Sequence, residues 1–154
     1  MAGPEKNLYK MVKNKLSDFN PIRIETTTIN GFPDLILFNK AKEVLFIECK
    51  VCESDKLIQS LRPHQKAFHH KYSNILDGLF ILQRVPSSRE VFLYRSKEID
   101  FLDPKWSPKP CARAVDRENW HALSAQLDAG PLDVVGASAK SQGITTLWNV
   151  RYLE

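Results

Sequence analysis

The stretch Gly31-Phe32-Pro33-Asp34-Leu35-Ile36-Leu37-Phe38-Asn39-Lys40-Ala41-Lys42-Glu43-Val44-Leu45-Phe46-Ile47-Glu48-Cys49-Lys50-Val51 decides the fold. Two runs rich in apolar and β-branched residues, 32–38 and 43–51, flank the polar turn Asn39-Lys40-Ala41-Lys42, which predicts two paired strands. The second is apolar on both faces through Val44–Ile47, the pattern of a central strand covered on each side.

Working outward, residues 4–17 predict an amphipathic helix with Pro4 in its first turn and Leu8, Met11, Val12 and Leu16 at helical spacing. Glu5 lies three residues before Leu8 and so shares the buried face, an unusual place for a carboxylate; a first-turn Glu meeting the helix dipole is the plainer account. Ile22–Ile29 reads as a strand and Asn30-Gly31 as a turn, completing a three-stranded meander. After the meander, 56–61 reads as a helical turn and Pro63 opens a helix to about Tyr72. Residues 78–85 and 90–95 read as two further strands. The expected architecture is α/β, with a mixed central sheet flanked by helices.

Beyond residue 100 the pattern weakens. Asp103–Pro110 reads as a loop around Trp106, Asp116 as the cap of a short helix carrying Trp120, Leu123 and Leu127, and Ile144–Tyr152 as an edge strand. We take 1–100 as the core and 101–154 as an extension packed on it within one domain.

At 154 residues the chain has the length of one domain, and its apolar runs are far too short to span a bilayer. With no apolar leader and an odd count of 3 cysteines, a soluble cytoplasmic protein without a disulfide framework is expected. The net charge of +4 is compatible with a polyanionic partner without requiring one. No Gly-rich phosphate loop is present, and Cys49-x-x-Cys52 lacks the second pair of ligands that zinc would need.

The informative constellation is Pro33-Asp34 followed, one hairpin later, by Glu48-Cys49-Lys50. On a strand alternate residues share a face, so Glu48 and Lys50 point together and Cys49 points away. Pairing of the two strands would set Asp34 beside Glu48, bringing two carboxylates and an ammonium to the end of an apolar sheet. Such charges are costly unless paired or bound to metal, and oxygen ligands favour a hard ion such as Mg²⁺ or Mn²⁺. The Cys49 carbonyl would be a third ligand, and Lys50 would orient water or balance charge on a phosphoryl transition state. The plain alternative is an Asp34–Lys50 ion pair. On the predicted second helix, Gln65 shares a face with Phe68 and Tyr72 and should look towards the sheet.

These residues resemble the signature of the PD-(D/E)XK nuclease superfamily, over roughly residues 4–95, and look closest to its VRR-NUC and Holliday-junction-resolvase-like branches. The resemblance implies a restriction-endonuclease-like core and Mg²⁺-dependent hydrolysis of DNA, with 5′-phosphate products. It implies Asp34 and Glu48 as metal ligands, Lys50 as the catalytic lysine, Gln65 as the glutamine of the following helix, and Glu5 as a first-helix carboxylate that helps hold metal. Junction resolvases in addition imply a homodimer. Arg62 departs from the pattern, standing before Pro63 where such helices often carry a Ser or Thr cap; contact with a phosphate is the role open to it.

Overall fold

The computed structural model describes residues 3–26, 28–107 and 109–129. The expected edge strand at Ile144–Tyr152 lies outside them.

Six strands form one mixed sheet whose spatial order follows the chain: β1 (Ile22–Arg23), β2 (Leu35–Phe38), β3 (Val44–Val51), β4 (Leu79–Val85), β5 (Glu90–Arg95) and β6 (Ala112–Val115). Every neighbouring pair is antiparallel except β3–β4, whose parallel register requires a crossover. The crossover is α2 (Leu57–Ser60) and α3 (Pro63–Tyr72). The remaining helices are α1 (Gly3–Lys15) before the sheet and α4 (His121–Ala129) after it.

Strand alternation sorts the core into two layers. Leu35, Leu37, Leu45, Ile47, Cys49, Phe80, Leu82, Val91 and Leu93 face one side, where Leu8, Val12 and Leu16 of α1 and Leu123 and Leu127 of α4 close over them. Ile81 and Tyr94 face the other, against Leu57, Ile58 and Leu61. No helix among the described residues is long and apolar enough to cross a membrane.

Three expectations need correction. The strand expected over 22–29 is confined to Ile22–Arg23: β2 starts only at Leu35, and past Arg23 the pairing ends with Ile24 N donating to Asp34 O at 2.7 Å. Residues 112–115, to which the sequence pattern assigned no element, form β6 on the far edge of the sheet. Asp116 does not cap α4; its carboxylate accepts hydrogen bonds from Arg84 (2.9 and 3.3 Å) and Arg89 (3.4 Å).

Candidate active site

β3 is eight residues long and β2 only four, so after Ile47 pairs with Leu35 β3 runs on with β4 beside it and its β2 side unpaired. Along β3 the even-numbered N–H groups point to β4, as Phe46 N donating to Gly78 O illustrates. Those of Cys49 and Val51 therefore point to the margin β2 has left. Two carboxylates take them: Asp34 Oδ2 accepts from Cys49 N at 2.9 Å, and Glu5 Oε2 from Val51 N at 3.2 Å. The Cys49 carbonyl shares that margin with its N–H. Glu5 thus reaches β3 from the first turn of α1, so its position on the buried face has a structural cause.

Glu48 and Lys50 lie on the α3 side of the sheet. Gln65 comes to Glu48 from the first turn of α3, its Nε2 donating to Glu48 Oε2 at 3.2 Å while its Oε1 accepts from Arg62 N at 2.9 Å. Those two bonds fix the amide. α3 is seated by Gly31, whose φ of +80° belongs to the left-handed region and whose missing Cβ would lie 2.2 Å from His64 O. A glycine is required twice over, for the turn and for the close approach. The segment expected to be a simple hairpin turn is the bearing on which the helix start rests.

Glu5, Asp34, Glu48, Cys49, Lys50, Arg62 and Gln65 line one hollow of about 170 Å³. All six residues singled out from sequence meet there, and Arg62 joins them. The one hint of Arg62 in the sequence was its unsuitability as a helix cap.

Glu48 is the least comfortable group in the hollow. It is 1% exposed, and no N–H or hydroxyl donor reaches its buried Oε1. Burial pushes its carboxyl far above the usual range, Asp34 adds to this by its charge and a shared hydrogen bond, and Lys50 and Arg62 oppose it. Burial likewise raises the Cys49 thiol, reinforced by Asp34, Glu48 and Glu5, so Cys49 is apolar filling rather than a nucleophile. Among the described residues Asp34 and Lys50 form no ion pair. Nor do three His, Cys, Asp or Glu side chains converge closely enough to hold a metal ion by themselves. The hollow is lined instead by the carboxylates of Asp34 and Glu48 together with Cys49, while Glu5 is bonded to Val51 N–H.

No protein-family model matches the chain, and neither does any curated protein.

Proposed function

We propose that this protein is a metal-dependent DNA nuclease with a restriction-endonuclease-like core of the PD-(D/E)XK kind, working in the cytoplasm as a structure-specific endonuclease that leaves 5′-phosphates. The observation that carries the reading is the buried Glu48 carboxyl beside Asp34, with no N–H or hydroxyl donor reaching Oε1. A buried acid pair repels itself, and a divalent cation is the simplest group that relieves both the repulsion and the missing contact. The donors are all oxygen, which fits Mg²⁺ or Mn²⁺ and not zinc. Asp34, Glu48 and the Cys49 carbonyl would hold the ion, with Glu5 at the rim. Bound there, it would supply a water of lowered pKa and screen the phosphate charge.

The chain's own groups divide the remaining work. Cys49 N–H orients Asp34, and Gln65 orients Glu48. Lys50, on the same face as Glu48, stabilises negative charge developing on the phosphoryl oxygens and helps position the attacking water. The hollow holds three carboxylates against two cations, Lys50 and Arg62. On binding a divalent ion Glu48 would lose the proton it holds, and with all three carboxylates ionised the hollow would carry an excess of one positive charge, which matches the single charge of a phosphodiester. A homodimer would present two such hollows to two strands.

The test is cleavage of labelled linear, single-stranded, flap and four-way-junction DNA by wild type and Lys50→Ala, in Mg²⁺ or in EDTA. Cutting should need both Mg²⁺ and Lys50, prefer one branched form, and leave 5′-phosphate ends. Equal cutting by both proteins, or cutting in EDTA, would sink the reading. Binding without any cutting would favour a DNA-binding scaffold, and cutting only from ends would favour an exonuclease.

A further inference from the structure

Arg62 stands where a helix-capping residue belongs, and it is the wrong residue for that purpose. Arg62-Pro63-His64-Gln65 has the spacing of a capping box, and the box is half built: Gln65 Oε1 accepts from Arg62 N at 2.9 Å. The reciprocal bond, from the Gln65 N–H to an oxygen on the cap side chain, cannot form because a guanidinium has no acceptor. A cation at a helix N-terminus also opposes the helix dipole. Helix stability therefore gives no reason for Arg62.

Its surroundings supply one. Arg62 lines the same hollow as Asp34, Glu48 and Lys50, and its charge is felt by Glu48. Its side chain is exposed, and among the described residues no carboxylate pairs with it. The backbone that carries it is fixed, since the next residues of α3 rest on Gly31. The result is a planar five-donor cation at the mouth of the site, held in place and unspent.

We propose that Arg62 is a substrate-binding residue that grips a backbone phosphate of the DNA strand entering the hollow, in place of a helix cap. This rests on the nuclease reading and adds to it the group that seats the substrate. A guanidinium suits the task because it meets two phosphate oxygens at once, which an ammonium does not. Stability is given up for binding at this position, so the two properties should move in opposite directions when Arg62 is replaced.

The experiment compares Arg62→Ser and Arg62→Gln with their parent, all carrying Lys50→Ala so that the DNA is not consumed in Mg²⁺. Binding of labelled duplex and four-way-junction DNA is followed by anisotropy across a salt series, and Tm is recorded for each protein. Arg62→Ser completes the capping box, so its Tm should rise while its DNA affinity falls about tenfold. The slope of log affinity against log salt should shrink by about 0.9, the value for one lost phosphate contact. Arg62→Gln should show the same loss of slope without the gain in Tm. With Lys50 restored, the Arg62 variants should raise KM more than they lower kcat. An unchanged salt slope and KM in both variants would overturn the proposal while leaving the nuclease reading intact. A parent that binds no DNA would overturn the nuclease reading and the role of Arg62 with it.

Discussion

Glu48 and Asp116 are both buried carboxylates, 1% and 5% exposed, and their surroundings differ in kind. Asp116 receives three hydrogen bonds from two guanidinium groups, Arg84 and Arg89. Burial alone would raise its carboxyl, yet the bonds and charges of Arg84 and Arg89 hold it below the usual range. Glu48 has one neutral donor on Oε2, none on Oε1, and a second acid alongside, so its carboxyl moves the other way. The first arrangement is what a protein does with a charge it needs for its shape. The second leaves a buried acid without a cationic hydrogen-bond donor, an environment more typical of functional sites than of structural ion pairs. Asp116 joins the β4–β5 hairpin to the residues after β6 through charged donors, whereas Glu48 is tied to α3 only by the neutral amide of Gln65.

The contrast breaks most visibly at Glu48 itself. Glu48→Gln should lower the rate of DNA cleavage by about a thousandfold, the scale of losing a main electrostatic group. In EDTA the same variant should be more stable than wild type by about 2 kcal/mol, since the cost of burying an ionisable acid beside Asp34 is gone; calorimetric melting checks this. A drop in Tm would place Glu48 with Asp116 among the structural carboxylates.

Next in size is Gly31→Ala. The added methyl would overlap His64 O and the positive φ would be strained, together costing about 3 kcal/mol or more. Because the strain falls on the start of α3, the hydrogen bond from Gln65 to Glu48 should be lost with it. Chemical denaturation and the cleavage assay should fall together, and the Arg84–Asp116 corner should keep its amide-exchange protection until global unfolding.

A third test concerns pH. His69 is fully buried, with Nδ1 2.8 Å from Ser96 Oγ and Nε2 without a partner. Burial, assisted by the charge of Lys50, lowers its pKa from 6.5 to about 4. The unfolded chain therefore binds the proton first as pH falls. Stability from a neutral His69 is complete above about 6.5 and is lost as pH drops towards 4, by about 3 kcal/mol in all. His69→Gln should flatten the fall in urea midpoint across that window; an unchanged profile would show that other groups govern acid unfolding. The smallest effect is expected at Asp116→Asn, which should cost about 2 kcal/mol in urea denaturation and leave cleavage unaltered.

The sequence made the site more legible than the periphery of the fold. Apolar patterning located α1, β3 and α3, and Pro63 marked the first residue of α3. The alternation of Glu48, Cys49 and Lys50 was enough to send Cys49 into the α1 layer and Glu48 towards α3. What escaped was set by partners distant in the chain. Ala112–Val115 is a short edge strand with no strong alternation, and it forms because β5 offers it an edge. Thr26 and Thr28 favour strands by type, but β2 begins too late to pair them. Asp116 looked like a local cap because its real partners lie 27 and 32 residues away. Gln65 was expected to face the sheet, whereas its second bond, back to the Arg62 main chain, could be seen only in three dimensions.

The overhang of β3 beyond β2 has one more consequence. A strand margin with bare N–H groups is a template on which another molecule can lay a strand, and proteins that leave one open tend to polymerise. Here the donors of Cys49 and Val51 are already occupied by Asp34 and Glu5. An intruding strand would have to place its carbonyl oxygens against two acidic side chains, and would be turned away. The margin therefore borders an open hollow while being closed to edge-to-edge strand pairing. The same carboxylates that line the hollow also block the addition of a strand along this margin.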